Sequence, residues 1–301
     1  MKPKLGYIGL GLMGSPMVDR LLLGGYDVIV WNRTRQKIFP AIERGAAEAS
    51  SVGELVSDSD IILMCLIDSK AVEDVVFGEG GVANTGTKDQ VIVDFSSMQP
   101  DLTRSFAARL KSETGMGWVD APVSGGVKGA EAGTLAIMAG GEKSDIEYVL
   151  PIFEKLSERF THMGDCGAGQ VAKLCNQIIV GSNIMAIAEA ISFAEKSGCI
   201  DALKLANALK GGWADSQPFQ IMAPRFASRQ TEPMIGASDT MLKDLKTAQD
   251  FAFQKGASIP MTTLASETLQ KLSTLGLGKK DIGEIMVLFE TEGVSNNEKG
   301  Q

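Results

Sequence analysis

The chain has 301 residues, 44% hydrophobic and 22% charged, which suits two domains with ordinary cores. A formal net charge of -8 and a pI near 4.9 argue against non-specific attachment to nucleic acid or to an anionic membrane surface. Cys65, Cys166, Cys175 and Cys199 form no C-x-x-C pair and His162 is the only histidine, so neither a metal site nor a disulfide framework is indicated.

The first element expected is a strand over residues 4–9, running into Gly9-Leu10-Gly11-Leu12-Met13-Gly14 and then a helix to Leu23. No apolar leader with a cleavage site precedes that strand, and the chain reads as cytoplasmic. Strand, G-x-G-x-x-G turn and helix form the setting of a dinucleotide fingerprint. Its glycines allow a tight turn and let backbone N–H groups approach a pyrophosphate at the positive end of the helix.

A second strand, Asp27 to Trp31, ends in Asn32-Arg33-Thr34-Arg35. An acidic residue there would bond a ribose 2′-hydroxyl, whereas an arginine suits a 2′-phosphate. Arg33 can pair with a phosphate, and Asn32 and Thr34 can add neutral hydrogen bonds, so the expected cofactor is NADP. The alternative is that Arg33 and Arg35 only solvate the next helix.

Further parallel strands are expected over 60–66 and 90–95. Ligands of such sheets sit beyond the carboxyl ends of the strands, which places Leu66, Ile67 and Ser96 beside the cofactor. After Trp118-Val119-Asp120 comes the loop Ala121-Pro122-Val123-Ser124-Gly125-Gly126, whose Ser124 and bare amides could meet an anionic group. Strand character over 134–139 and a short strand around His162 complete the sheet, with His162 read as structural.

Residues 167–198 contain no proline and read as one helix of roughly 40 Å, apolar on nearly every side and hence buried all round. Its most apolar run, Ile178 to Ala188, is too short to cross a bilayer and contains Asn183. Lys173, Asn176 and Gln177 stand near its start, with both amides on the face of the lysine. Such polar groups in a buried helix are costly to desolvate unless they line a site.

Helices are then expected over 201–210, 217–228, 238–255, 260–275 and 279–289, with Ser238 as an N-cap and Gly256 as a stop. The fold class is thus an α/β Rossmann domain with a doubly wound, mainly parallel sheet over 1–165, then an all-α domain over 166–291. Residues 292–301 are polar and read as a disordered tail. Apolar helices exceeding what one small domain can cover suggest that subunits pack through the second half.

Together these pieces resemble the β-hydroxyacid dehydrogenase family, which includes 3-hydroxyisobutyrate dehydrogenase, 2-hydroxy-3-oxopropionate (tartronate semialdehyde) reductase and the glyoxylate and succinic semialdehyde reductases. The GLGLMG turn, the DAPVSGG loop at 120–126, the GAGQVAKLCNQ segment at 167–177 and the pair Lys243-Asp244 follow in family order. The resemblance implies Lys173 as catalytic lysine, Ser124, Gly125 and Gly126 as substrate-binding loop, Ser96 at the cofactor and Lys243 near the nicotinamide. It also implies an active site between the domains and a homodimer or homotetramer. The family's supporting amide stands four residues after the lysine, where this chain has Gln177 with Asn176 before it, so either could orient the substrate. The segment 211–216 is similar to the tartronate semialdehyde reductase branch.

The expected activity is reduction of a small carboxylated aldehyde or keto acid with NADPH. Reducing an aldehyde places negative charge on its oxygen, and Lys173 is the available proton donor, worth about 10²- to 10⁴-fold as a general acid. Its charge would also attract the substrate carboxylate. Oxidation of the 3-hydroxyisobutyrate type, imine reduction and a non-catalytic cofactor-binding interaction module are the competing readings; retention of Lys173 and Ser124 favours carbonyl chemistry.

Overall fold

The structure is a computed structural model that describes residues 2–291; the tail expected over 292–301 lies outside the described residues. The chain divides into two compact units, Met1–Lys173 and Leu174–Gln301. The division falls inside the long helix, one residue after its lysine, whereas the sequence reading changes from sheet to helix at 165/166.

The first unit is built on one sheet of nine strands: β1 (Leu5–Ile8), β2 (Val28–Trp31), β3 (Ala47–Glu48), β4 (Ile61–Met64), β5 (Val91–Asp94), β6 (Gly117–Asp120), β7 (Val123–Ser124), β8 (Leu135–Gly140) and β9 (Ser157–Gly164). Their order is β3-β2-β1-β4-β5-β6-β8-β7, with β9 beside β8. From β3 to β6 every pairing is parallel; β8 runs antiparallel to β6 and β7. The chain winds outward from β1 through β2 to β3, then returns to β4 on the other side of β1. This reversal opens the crevice in which doubly wound sheets hold ligands.

Central strands read as continuous apolar runs because both faces are covered. Leu5 and Tyr7 of β1, Ile61 and Leu63 of β4 and Val91 and Val93 of β5 enter one core. Ile8, Ile62, Met64 and Ile92, the alternate residues, enter the core on the other face. The two-residue strands β3 and β7 are too short to show alternation, so the sequence alone does not reveal them.

The second unit is helical. The long helix spans Ala168–Ser197, 30 residues, and within this unit its Ile184, Ile187 and Ile191 pack with Phe226, Leu245, Leu269 and Ile285. Gly181 permits a close helix contact, because a Cβ there would lie 2.9 Å from Leu245 Cδ2. Helices Gln217–Ala227, Ser238–Lys255 and Pro260–Thr274 fall close to their expected bounds.

Five expectations need correction. The long helix is not buried all round, since Ile179 is 61% and Phe193 78% exposed. By length and hydropathy that helix could cross a membrane, although its central apolar run is short; half of the apolar window is buried inside the protein. Residues 201–210 make only a 3-10 turn, Ala202–Lys204, and one helical turn, Leu205–Ala208, ahead of the stop at Gly211-Gly212; 279–289 likewise splits into Ile282–Ile285 and Met286–Thr291, with Gly283 weakening its start. Ser238 lies inside its helix rather than at the N-cap, which is Ala237, and its hydroxyl is directed at the Asp281 carbonyl instead.

Candidate active site

The glycine turn joins β1 to the helix Gly14–Leu23, and its three glycines do different work. Gly9 has φ +97°, and a Cβ on it would lie 2.4 Å from the Cys65 carbonyl oxygen. At Gly14 a Cβ would be 2.0 Å from the Gly9 carbonyl oxygen. Both are therefore demanded by the protein's own packing. Gly11 is not: a Cβ there would meet nothing within 4 Å. Space kept bare at that position, before a helix with no side-chain cap and no acidic residue in its first turn, fits a pyrophosphate. Leu12 and Met13 complete the turn, Leu12 pointing largely to solvent.

Asn32 ties this turn to the end of β2. Its Oδ1 accepts the Leu10 N–H at 2.9 Å and its Nδ2 donates to the Thr34 carbonyl at 2.8 Å. Asn32 thus shapes the site, with its amide committed to the backbone. The two arginines that follow separate cleanly. Arg35 forms a two-point pair with Glu48, at 2.6 and 3.0 Å, and sits over the Phe39 ring. Arg33 is exposed, as is Thr34, and among the described residues it makes no ion pair.

At the end of β4, Leu66 packs beside Gly9, its Cδ2 lying 2.8 Å from where a Gly9 Cβ would be, while Ile67 is exposed. The Leu66 N–H donates to Ser96 Oγ at 2.9 Å. Ser96 is 2% exposed, and its own N–H donates to Asp94 Oδ1. The structure therefore brings the glycine turn, Asn32, Leu66 and Ser96 together at the carboxyl ends of β1, β2, β4 and β5, with Ser96 as a buried support for the Leu66 loop.

Lys173 joins the Ser124 loop. Its Nζ donates to the Val123 carbonyl at 2.8 Å, one residue before Ser124. Gly125 (φ +131°) and Gly126 (φ +63°) follow in backbone conformations that other residues rarely adopt, and both are exposed. This anchors the ammonium to the backbone of the loop that carries Ser124 and the two glycines, groups of a kind suited to a carboxylate and to a carbonyl oxygen gaining charge.

In the second unit, Asn176 Nδ2 donates to Gln177 Oε1 at 2.8 Å, and Gln177 Nε2 donates to Asp244 Oδ2 at 2.6 Å. Asp244 Oδ1 also pairs with Lys243 Nζ at 3.0 Å. Gln177 is buried and engaged at both ends, whereas Asn176 is only half-buried. Asp244, 4% exposed, organises both Gln177 and Lys243.

Three residues of this architecture lay in the quoted motifs without being singled out: Asp120, Gln170 and Asp244. Asp120 Oδ1 accepts the Gly167 N–H at 2.7 Å and its Oδ2 the Gln170 N–H at 2.9 Å. Burial pushes its carboxyl up to about 6, while these amide bonds oppose the rise. The Cys166 thiol is likewise raised by burial and by Asp120. His162 bonds the Gly141 and Gly164 carbonyls at 3.1 and 2.9 Å.

A sequence model described as the NAD binding domain of 6-phosphogluconate dehydrogenase matches residues 4–164, and one described as NAD-binding of NADP-dependent 3-hydroxyisobutyrate dehydrogenase matches 167–289. The chain belongs to the β-hydroxyacid dehydrogenase family. It is an oxidoreductase acting on CH–OH groups of hydroxy acids with a nicotinamide cofactor. The 2-hydroxy-3-oxopropionate reductase of Escherichia coli K12 is 36% identical over 95% of this chain and 97% of its own. The 3-hydroxyisobutyrate dehydrogenase of Mycobacterium tuberculosis, solved with L-serine, has a TM-score of 0.85 and 29% identity, covering 96% of this chain and 99% of that one. A structure described as Psf3 in complex with NADP+ and 2-OPP has a TM-score of 0.87 and 26% identity, covering 94% and 99%.

Proposed function

We propose that this dehydrogenase is an NADPH-dependent reductase of small aldehyde or keto acids, with Lys173 as general acid. The observation that supports the reading is the 2.8 Å bond from Lys173 Nζ to the Val123 carbonyl, in the loop that continues through Ser124, Gly125 and Gly126. The bound nicotinamide supplies the hydride. Lys173 gives a proton to the carbonyl oxygen as charge develops there, and the Ser124 hydroxyl with the Gly125 and Gly126 amides holds the carboxylate.

NADP is preferred because Arg33 is exposed without an ion pair among the described residues, whereas Glu48 neutralises Arg35. Substrates of the 2-hydroxy-3-oxopropionate, glyoxylate and succinic semialdehyde type fit an ammonium next to a small-residue loop, and the first is named in the Escherichia coli relative. The Mycobacterium tuberculosis likeness supports a second reading, oxidation of 3-hydroxyisobutyrate in the reverse sense at the same site. Of the large apolar side chains that stand exposed, Ile179, Phe193, Trp213 and Phe253 lie in the helical unit, which supports homodimers or homotetramers packed through that half. Four cysteines in the reduced state support a reducing, cytoplasmic setting.

The test is oxidation of NADPH and NADH against aldehyde acids of increasing length, with 3-hydroxyisobutyrate and NADP+ as the reverse assay. NADPH turnover with one or two aldehyde acids is expected. Tight NADPH binding with no turnover in either direction would overturn the reading.

A further inference from the structure

The buried carboxylate of Asp120 has no part in the chemistry described above, yet both of its oxygens are committed to the start of the long helix. Next to it, Gln170 is wholly buried; its Nε2 donates to the Ser96 carbonyl at 2.8 Å and its Oε1 accepts the Met98 N–H at 3.0 Å. The seat has no slack. A Cβ on Gly169 would lie 2.4 Å from the Met138 carbonyl oxygen and 2.8 Å from Asp120 Oδ2, and one on Gly140 would lie 2.7 Å from Asp120 Oδ1. The first helical turn is thus held by the ends of β5, β6 and β8, and Lys173 stands one turn further on the face of Gln170.

We propose that Asp120 and Gln170 are positioning residues for the reduction: they lock the first turn of the long helix to the strand ends, and that turn sets Lys173 against the Val123–Gly126 loop. The inference rests on Lys173 being the general acid. Displacing a reacting group by about 1 Å costs up to about a hundredfold in rate. Ionised Asp120 can accept both N–H groups, whereas a protonated carboxyl spends one oxygen on its own hydrogen and releases one of them. Three other groups face this carboxylate or its neighbours: the Cys166 thiol that hydrogen-bonds it, Asp94 at the end of β5, and Arg104, which faces Cys166 from the helix Pro100–Thr114.

The experiment compares Asp120→Asn and Gln170→Met, alone and combined with Lys173→Ala. Each single variant is expected to bind NADPH as the wild type does, to keep its KM for NADPH, and to lose about ten- to a hundredfold in kcat. Backbone amides from Gly167 to Lys173 exchange hydrogen faster while the rest of the sheet unit stays protected. Neither substitution lowers the rate further once Lys173 is gone. Unchanged kcat, or the same fractional loss with and without Lys173, would overturn the proposal. Should Asp120→Asn not fold, Gln170→Met decides, since it keeps the carboxylate and removes the ties to Ser96 and Met98. Wild-type protein that reduces nothing would defeat the functional reading instead, and the exchange of the Gly167 and Gln170 amides would still show whether Asp120 holds the turn.

Discussion

Lys173 Nζ lies 2.8 Å from the backbone carbonyl of Val123, so the ammonium is anchored one residue before Ser124. A proton donor held in this way loses little freedom when a substrate carbonyl arrives, the condition under which general acid catalysis is efficient. Lys173→Ala is expected to bind NADPH normally and to lose about 10²- to 10⁴-fold in kcat, read by steady-state reduction of the best aldehyde acid. A variant turning over near the wild-type rate would remove Lys173 from the acid role.

Arg33 and Arg35 give a paired test of cofactor choice. Arg33→Asp should lower kcat/KM for NADPH relative to NADH by about 10- to 100-fold, the worth of charge-assisted hydrogen bonds to a phosphate. Arg35→Ala should leave that ratio alone, because Arg35 is already paired with Glu48. A ratio that follows Arg35 instead would assign the 2′-phosphate to the wrong arginine.

The glycine turn separates folding from binding. Gly14→Ala should destabilise the sheet unit by about 1 to 3 kcal/mol, as overpacking does, because its Cβ would collide with the Gly9 carbonyl. Gly11→Ala should melt like the wild type and bind NADPH more weakly. Thermal denaturation alongside a cofactor titration reads both, and equal loss of stability at the two positions would refute the assignment of Gly11.

Asp244 holds Gln177 at 2.6 Å and Lys243 at 3.0 Å from a buried position. Asp244→Ala removes the carboxylate that the buried Gln177 amide and the Lys243 ammonium both meet, so urea unfolding should show a loss of about 1 to 3 kcal/mol. If stability is unchanged, the cluster contributes nothing to the helical unit.

Asp120 sets a pH dependence whose sign runs against the usual carboxylate. Its folded value, about 6, lies above the ordinary aspartate value of 3.8, so the folded protein takes up this proton first. The contribution of Asp120 therefore favours folding below about pH 4 and is lost as pH rises through 6, a difference of about 3 kcal/mol. Unfolding free energies of the wild type and Asp120→Asn between pH 4 and 7 should converge toward the acid end. A gap that stays constant over this range would mean that Asp120 ionises at an ordinary value.

Much of this protein was written in local sequence. The alternation of strands and helices, the glycine turn at 9–14, the loop at 120–126 and the lysine with its two amides are legible because glycine, periodicity and residue type act over a few neighbouring positions. Tertiary structure decided what those neighbours could not. Glu48, thirteen residues away in sequence, claims Arg35 and leaves Arg33; Asp244, 67 residues from Gln177, claims one amide of an adjacent pair; Asp120, 47 residues before Gly167, caps the helix that carries the lysine. Each choice depends on which distant carboxylate the fold delivers within hydrogen-bond reach and how deeply it is buried there, and spacing along the chain encodes neither.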